Sequence, residues 1–183
     1  DMNYPHDRVE LLLFADNCSD RTYEECLAVK ALPEYAGRDL TIINRSGTGG
    51  KAGVLNDALA MATGDYICVY DADAMPEKNA LYFLVKEVLK DPERHVASFG
   101  RNKTRNANQK LLDPLYQPRK LSLPNVHHVG MWHLFKIGRI PGTNFLINTE
   151  FVKSIGGWKN GALTEDTEIS FKIMQSGKLI ALA

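Results

Sequence analysis

The sequence has no excess of charge of either sign. Lys+Arg and Asp+Glu stand at 22 each, so the formal net charge is zero. Nothing in that balance draws the chain to nucleic acid, and any positive charge that a site requires must be placed locally. Cysteine is scarce. Cys18, Cys26 and Cys68 are odd in number and form no CxxC pair, which argues against a disulfide framework and for a reducing compartment. Asn17-Cys18-Ser19 and Asn102-Lys103-Thr104 fit the N-glycosylation pattern, but the cysteine usage gives secretion no support. Long apolar runs are also missing: none approaches the ~20 residues that span a bilayer, and no signal peptide is visible. Residue 1 is Asp, and the chain stops inside the apolar run Leu179-Ile180-Ala181-Leu182-Ala183. The expectation is a soluble piece of a longer protein. What is present is ordinary globular material, 183 residues of which 44% are hydrophobic and 24% charged, enough for one domain with a sizeable core.

Apolar runs and helical stripes alternate along the first hundred residues. Val9 to Ala15 reads as a strand ending in a polar turn at Asp16-Asn17-Cys18-Ser19-Asp20. Cys26, Leu27 and Ala31 mark a short helix after Thr22. Leu40 to Ile43 is a second strand, followed by a loop rich in glycine. A helix over 52–62 puts Leu55, Leu59 and Ala62 on one face, with Gly64 as its expected C-cap. Tyr66 to Tyr70 is a third strand. Pro76 suits the first turn of a helix whose Leu81, Leu84, Val85, Val88 and Leu89 form an apolar stripe, and Asp91-Pro92 ends it. Val96 to Phe99 is a further strand. Such alternation predicts βαβ units and a mostly parallel sheet. The pattern loosens over 101–141, a stretch that could cover a sheet edge. Phe145 to Asn148 then reads as a strand, 150–155 as a short helix before Gly156-Gly157, and 164–175 as a helix stopped by Gly177.

Three constellations bear on chemistry. Asp71-Ala72-Asp73 closes the third strand, so two carboxylates reach the carboxyl edge of the sheet, where open α/β folds bind ligands. Hard oxygens there suit Mg²⁺ or Mn²⁺, with water and a phosphate completing the shell. Gly47-Thr48-Gly49-Gly50-Lys51-Ala52-Gly53 offers backbone N–H groups and one lysine at a helix start, a ready anion site. A P-loop is excluded because Ala52 stands where Ser or Thr is needed. A dinucleotide fingerprint, Gly47-x-Gly49-x-x-Ala52, remains a rival, although Asn44-Arg45-Ser46 separate those glycines from their strand. Thr164-Glu165-Asp166 sets two carboxylates in a helix's first turn behind a credible N-cap. Each has a bland reading: a turn aspartate at Asp16 or Asp71, a capping glycine, a capping threonine. Taken together, however, Asp16, the Gly-Lys loop and Asp71/Asp73 all follow successive strands, hence one sheet edge, which suits a nucleoside-diphosphate ligand. His127, His128 and His133 lack partners at zinc spacing, and Cys18 lacks a histidine partner for nucleophilic work. Arg101, Lys103 and Arg105 fit either a solvated face or phosphate contacts.

In order along the chain, Ala15-Asp16-Asn17-Cys18-Ser19-Asp20-Arg21-Thr22, Gly50-Lys51-Ala52-Gly53-Val54-Leu55-Asn56, Asp71-Ala72-Asp73 and Thr164-Glu165-Asp166-Thr167-Glu168 strongly resemble the family 2 glycosyltransferases of the GT-A fold. The nearest branch is the membrane-associated one that contains cellulose, hyaluronan and poly-N-acetylglucosamine synthases. The resemblance implies an α/β GT-A domain over 1–183, with 1–100 as the nucleotide-binding half and 101–183 as the acceptor and catalytic-base half. By the resemblance, Asp16 binds the uracil of a UDP-sugar, and Gly50, Lys51 and Asn56 lie near the nucleotide. Asp71 contacts ribose or sugar, and Asp73, with Asp71, holds Mg²⁺ or Mn²⁺ on the diphosphate. Asp166 is the general base, with Glu165 beside it. Gly142-Thr143-Asn144 and Gly156-Gly157-Trp158 line the sugar and acceptor side, where Trp158 is either a stacking platform or core packing.

The implied reaction is inverting, metal-dependent transfer from a UDP-sugar to a carbohydrate or lipid-linked acceptor, with the parent protein on the cytoplasmic side of the cell membrane. Relative to the family, the chain is expected to lack the first strand, which is central to the sheet, and the Gln-x-x-Arg-Trp motif and membrane helices that follow the base. A dinucleotide-binding oxidoreductase domain and a non-catalytic sugar-nucleotide-binding module are the alternatives.

Overall fold

The computed structural model describes residues 2–102 and 129–183. Two separate sheets are formed. In the first, β1 (Leu11–Asp16) and β2 (Leu40–Arg45) run parallel, in register from Leu11 opposite Leu40 to Asp16 opposite Arg45. Helix α1 (Thr22–Lys30) makes the crossover, as parallel neighbours require. The second sheet has the order β3 (Tyr66–Val69), β5 (Phe145–Asn148), β4 (His95–Phe99), β6 (Leu179–Leu182). Helices α2 (Gly50–Met61), α3 (Ala80–Leu89), α4 (Val129–Phe135), α5 (Thr149–Ser154) and α6 (Glu165–Gln175) connect and cover these strands.

The mostly parallel expectation holds for β1–β2 and β4–β6, and β5 departs from it. That strand runs antiparallel to both β3 and β4. The reason lies in its entry point: Asn144 N donates to Val69 O, so the chain enters β5 at the end where β3 leaves. Apolar spacing sets where a strand is, not its direction, and the long stretch before Phe145 can return to either end of the sheet. The reversal matters for function because it delivers residues 142–144 to the carboxyl edge of β3.

Alternation along β5 organises the core. Phe145 and Ile147 join one buried cluster with Leu55 and Leu59 of α2, Val152 of α5 and Ile169 and Ile173 of α6. Leu146, pointing the other way, joins Leu81, Leu84 and Val88 of α3. The second sheet is therefore sandwiched, and its central strand reads as an uninterrupted apolar run because both faces are covered.

Several local expectations shift. Helix α3 starts at Ala80 behind Asn79, so Pro76 lies ahead of the helix. Its stripe is Leu81, Leu84 and Val88, while Leu89 is 56% exposed. The C-cap of α2 is Ala62, and Gly64 instead accepts a hydrogen bond at its carbonyl from Thr149 Oγ1. The terminal apolar run becomes β6, completing the sheet beside β4. No helix among the described residues is long and apolar enough to cross a membrane.

Candidate active site

One part of the candidate site begins where β1 and β2 end. Asp16 and Arg45 are cross-strand neighbours, and Arg45 Nη1 donates to Asp16 Oδ1 at 2.6 Å. Asn17 turns the chain with a φ of 51°, a left-handed conformation that asparagine tolerates. Its carboxamide pairs with the glycine loop, donating to Gly47 O at 2.8 Å and accepting from Gly47 N at 3.2 Å. The loop is thus tied to β1 before it reaches α2.

Glycine is required here for space rather than flexibility. A Cβ on Gly47 would lie 2.7 Å from the Arg45 guanidinium carbon, and one on Gly53 would lie 2.4 Å from Thr48 O. β2 runs on through Asn44 and Arg45, so Ser46 alone separates strand from glycines, a shorter gap than the sequence suggested. Even so, Gly47 packs against the protein's own arginine. In a dinucleotide fingerprint the glycines make room for a pyrophosphate, so this arrangement speaks against that rival.

Helix α2 starts behind Gly49, whose φ of 89° a side chain would strain, and no side chain caps the helix among the described residues. Its first-turn N–H groups, from Gly50 onward, are left for a ligand, and the helix dipole makes that end favourable for an anion. Lys51 stands in this turn. Its Nζ donates to Asp71 Oδ1 at 2.5 Å and to Gly142 O at 2.7 Å, and lies 3.8 Å from Glu165 Oε1. One ammonium thus joins the α2 start, the β3 edge, the loop before β5 and the α6 start. Asp71 is fixed further at its backbone, where its N–H donates to Thr143 Oγ1 at 3.0 Å. Both side chains of the Lys51–Asp71 pair remain partly solvated, so the pair orients groups more than it stabilises the fold.

Asp166, in the first turn of α6, stands beside Gly142. Its Oδ1 accepts from Thr167 N at 2.6 Å and from Thr167 Oγ1 at 3.2 Å. Its Oδ2 lies 3.4 Å from where a Cβ on Gly142 would sit, and Gly142 has a φ of 82°. A side chain there would strain the backbone and crowd the carboxylate. Thr164 occupies the N-cap position as expected but makes no side-chain cap bond; Asp166 satisfies a first-turn N–H instead.

Asp73 is exposed and makes no hydrogen bond or ion pair among the described residues. Among those residues no three His, Cys, Asp or Glu side chains come together as a metal cage. The donors at this edge are all hard oxygens, and the Asp71 carboxylate is already shared with an ammonium. That set suits a hard divalent cation drawing most of its ligands from water and a bound diphosphate.

Two expected site residues are engaged elsewhere. Trp158 is 2% exposed and belongs to the core cluster, so it has no face free for stacking on a sugar. Asn56 spends its carboxamide on that residue's backbone, donating to Trp158 O at 2.7 Å and accepting from Trp158 N at 2.9 Å. It braces α2 against the 156–160 loop. Arg45, read in the sequence only as a spacer before the glycines, and Asp57, whose carboxylate accepts from Arg45 Nε at 2.5 Å, were given no site role there. The available signal was an arginine ending a strand opposite an aspartate. His133 is exposed on α4. His127, His128, Lys103 and Arg105 lie outside the described residues, while Arg101 is exposed and accepts from Asn144 Nδ2 at its carbonyl.

Comparison with known proteins bears on this arrangement. The model of the family described as "Glycosyl transferase family 2" matches residues 2–156. A probable glycosyltransferase of Bacillus subtilis, YdaM, is 37% identical over 174 residues, covering 95% of this chain and 41% of that protein. The mannosyltransferase PcManGT from Pyrobaculum calidifontis, solved with GDP-Man and Mn²⁺, superimposes with a TM-score of 0.77 at 23% identity, over all of this chain and 47% of its own. Staphylococcus aureus TarS, residues 1–349 with UDP-GlcNAc, gives 0.65 at 13% identity, over all of this chain and 49% of its own. At those identities the two structures establish the fold. The chain spans under half the length of each of these relatives.

Proposed function

Since this chain belongs to glycosyl transferase family 2, we propose that it binds a UDP-sugar at the edge gathered by Lys51 and takes part in inverting transfer of the sugar to an acceptor hydroxyl. The observation that carries the reading is the Lys51 ammonium. It stands at an uncapped helix start, hydrogen-bonded to Asp71 and Gly142 and beside Glu165. A diphosphate at that point meets open N–H groups and a cation, with carboxylates on either side for the sugar and the acceptor.

In this reading Asp16 accepts a hydrogen bond from the base. The first-turn amides of α2 and Lys51 hold the diphosphate, and Asp71 contacts ribose or sugar. Asp73, with Asp71, would hold Mg²⁺ or Mn²⁺, and the ion when bound would supply Lewis-acid neutralisation of the diphosphate charge. The acceptor oxygen attacks the anomeric carbon as the bond to the phosphate oxygen breaks, and UDP leaves with the bonding electrons. The acceptor proton passes to Asp166, whose Oδ1 is pinned by Thr167 while Oδ2 is left to receive it. A single displacement inverts the centre. The likeness of the motif set to polysaccharide synthases supports a whole protein at the cytoplasmic face of the cell membrane, acting on a carbohydrate or lipid-linked acceptor.

Titration with UDP, with and without Mn²⁺, and with NAD tests the donor. Metal-dependent UDP binding without NAD binding is expected, and the converse overturns the reading in favour of an oxidoreductase domain. In the full-length protein, Asp166→Asn is expected to abolish turnover of a UDP-sugar while UDP binding survives. A full-length protein that binds UDP but turns over no donor is a binding module.

A further inference from the structure

Arg45 ends β2 with its side chain 10% exposed and donates in three directions. Nη1 reaches Asp16 Oδ1 at 2.6 Å, Nε reaches Asp57 Oδ2 at 2.5 Å, and Nη2 reaches Thr48 O at 2.9 Å. The planar fork of a guanidinium serves all three at once, which the single point charge of a lysine does not. Asp16 Oδ1 also takes Asn17 Nδ2 at 3.3 Å. With two donors on Oδ1, rotation of the Asp16 carboxylate is fixed. Oδ2 accepts no hydrogen bond among the described residues and is the oxygen left for a ligand. Asp57 completes a triad with an excess of one negative charge: two carboxylates share one cation, so Asp16 keeps acceptor character rather than being neutralised. The glycines at 47 and 53 are the space this guanidinium occupies.

We infer that Arg45 is the positioning residue of the nucleobase subsite: it presents Asp16 Oδ2 as a fixed acceptor for a ring N–H of the base, and so selects uracil over cytosine. Uracil offers an N–H at its third ring position, where cytosine offers a lone pair that a carboxylate repels. The inference rests on Asp16 being the base-binding residue, as proposed above, and adds the group that makes it selective.

The test separates base from phosphate. The protein, Asp16→Asn, Arg45→Gln, Arg45→Lys and the double variant Asp16→Asn/Arg45→Gln are titrated with uridine, cytidine and pyrophosphate, and each is melted. Arg45→Gln is expected to weaken uridine about tenfold, the size of one hydrogen bond involving a charged group. It should narrow the uridine-to-cytidine preference and leave pyrophosphate affinity as in the parent. Asp16→Asn should do the same, the double variant should lose no more than either single one, and Arg45→Lys should restore part of the loss. If Arg45→Gln fails to fold, Arg45→Lys provides the comparison. Uridine affinity unchanged in a folded Arg45 variant overturns the inference, as does an equal loss for uridine and pyrophosphate, which would make Arg45 merely a loop anchor. Unchanged uridine affinity in Asp16→Asn refutes instead the base-binding role of Asp16 on which the inference stands.

Discussion

Asn56→Ala separates a structural brace from a ligand contact. The carboxamide of Asn56 makes two hydrogen bonds to the backbone of Trp158, at 2.7 and 2.9 Å, and a third to Asn160 Oδ1 at 3.2 Å. Trp158 is 2% exposed, so its N–H and C=O have poor access to replacement water. Each net bond is worth about 1 kcal/mol, and a buried group left unpaired costs about 1–3 kcal/mol. Part of the space vacated by the carboxamide can admit water, so a total near 3 kcal/mol is expected rather than the upper sum. For a chain of this size about 1 kcal/mol moves Tm by roughly 2–4 °C, so Asn56→Ala should melt roughly 6–12 °C below the parent. UDP affinity, measured well below the transition, should stay within about twofold because no carboxamide atom is free to reach a nucleotide. Thermal melting followed by circular dichroism, paired with UDP titration, reads both. A melt within about 2 °C of the parent, or a roughly tenfold loss of UDP binding at unchanged Tm, would refute the reasoning.

Two further outcomes follow from burial. Trp158→Ala should destabilise by about 3–5 kcal/mol, since it empties a core site, without changing the relative affinity for UDP and UDP-sugar; a selective loss of the sugar-bearing ligand in a folded variant would restore Trp158 as a stacking platform. Burial pushes the Cys68 thiol up to about 12, whereas the unfolded thiol ionises near about 8.5. The unfolded chain therefore releases a proton first, and this group's contribution to stability is full below about 8.5 and is lost as pH rises toward about 12. A thiol reagent at pH 8 should label exposed Cys18 faster than half-buried Cys68, and equal labelling rates in the native protein would contradict this.

Much of the candidate site is legible in the sequence. Asp16, Lys51, Asp71 and Asp166 announce themselves through what precedes them: an apolar run that stops, or a glycine loop or a threonine opening a helix. These are short-range signals, written in the periodicity of a few neighbouring residues. Trp158 shows where such signals end. Its segment reads equally as a sugar platform or as core, and only the packing of α2, α5 and α6 around it decided the matter. Asn56 looked like part of a nucleotide motif until its partner proved to be a backbone 102 residues away.

By itself, then, the chain determined most of its strands and helices and the carboxylates and lysine at their ends, because each depends on local hydrophobic alternation and turn chemistry; the single sheet edge expected for them is split, since β1–β2 and β3 lie in separate sheets. Tertiary structure decided the direction of β5, the place of β6 and the grip of Arg45 on Asp16. Those depend on which distant segments meet. Apolar spacing is the same for a strand run in either direction, and the partners of a guanidinium are set by packing in space, not by order along the chain.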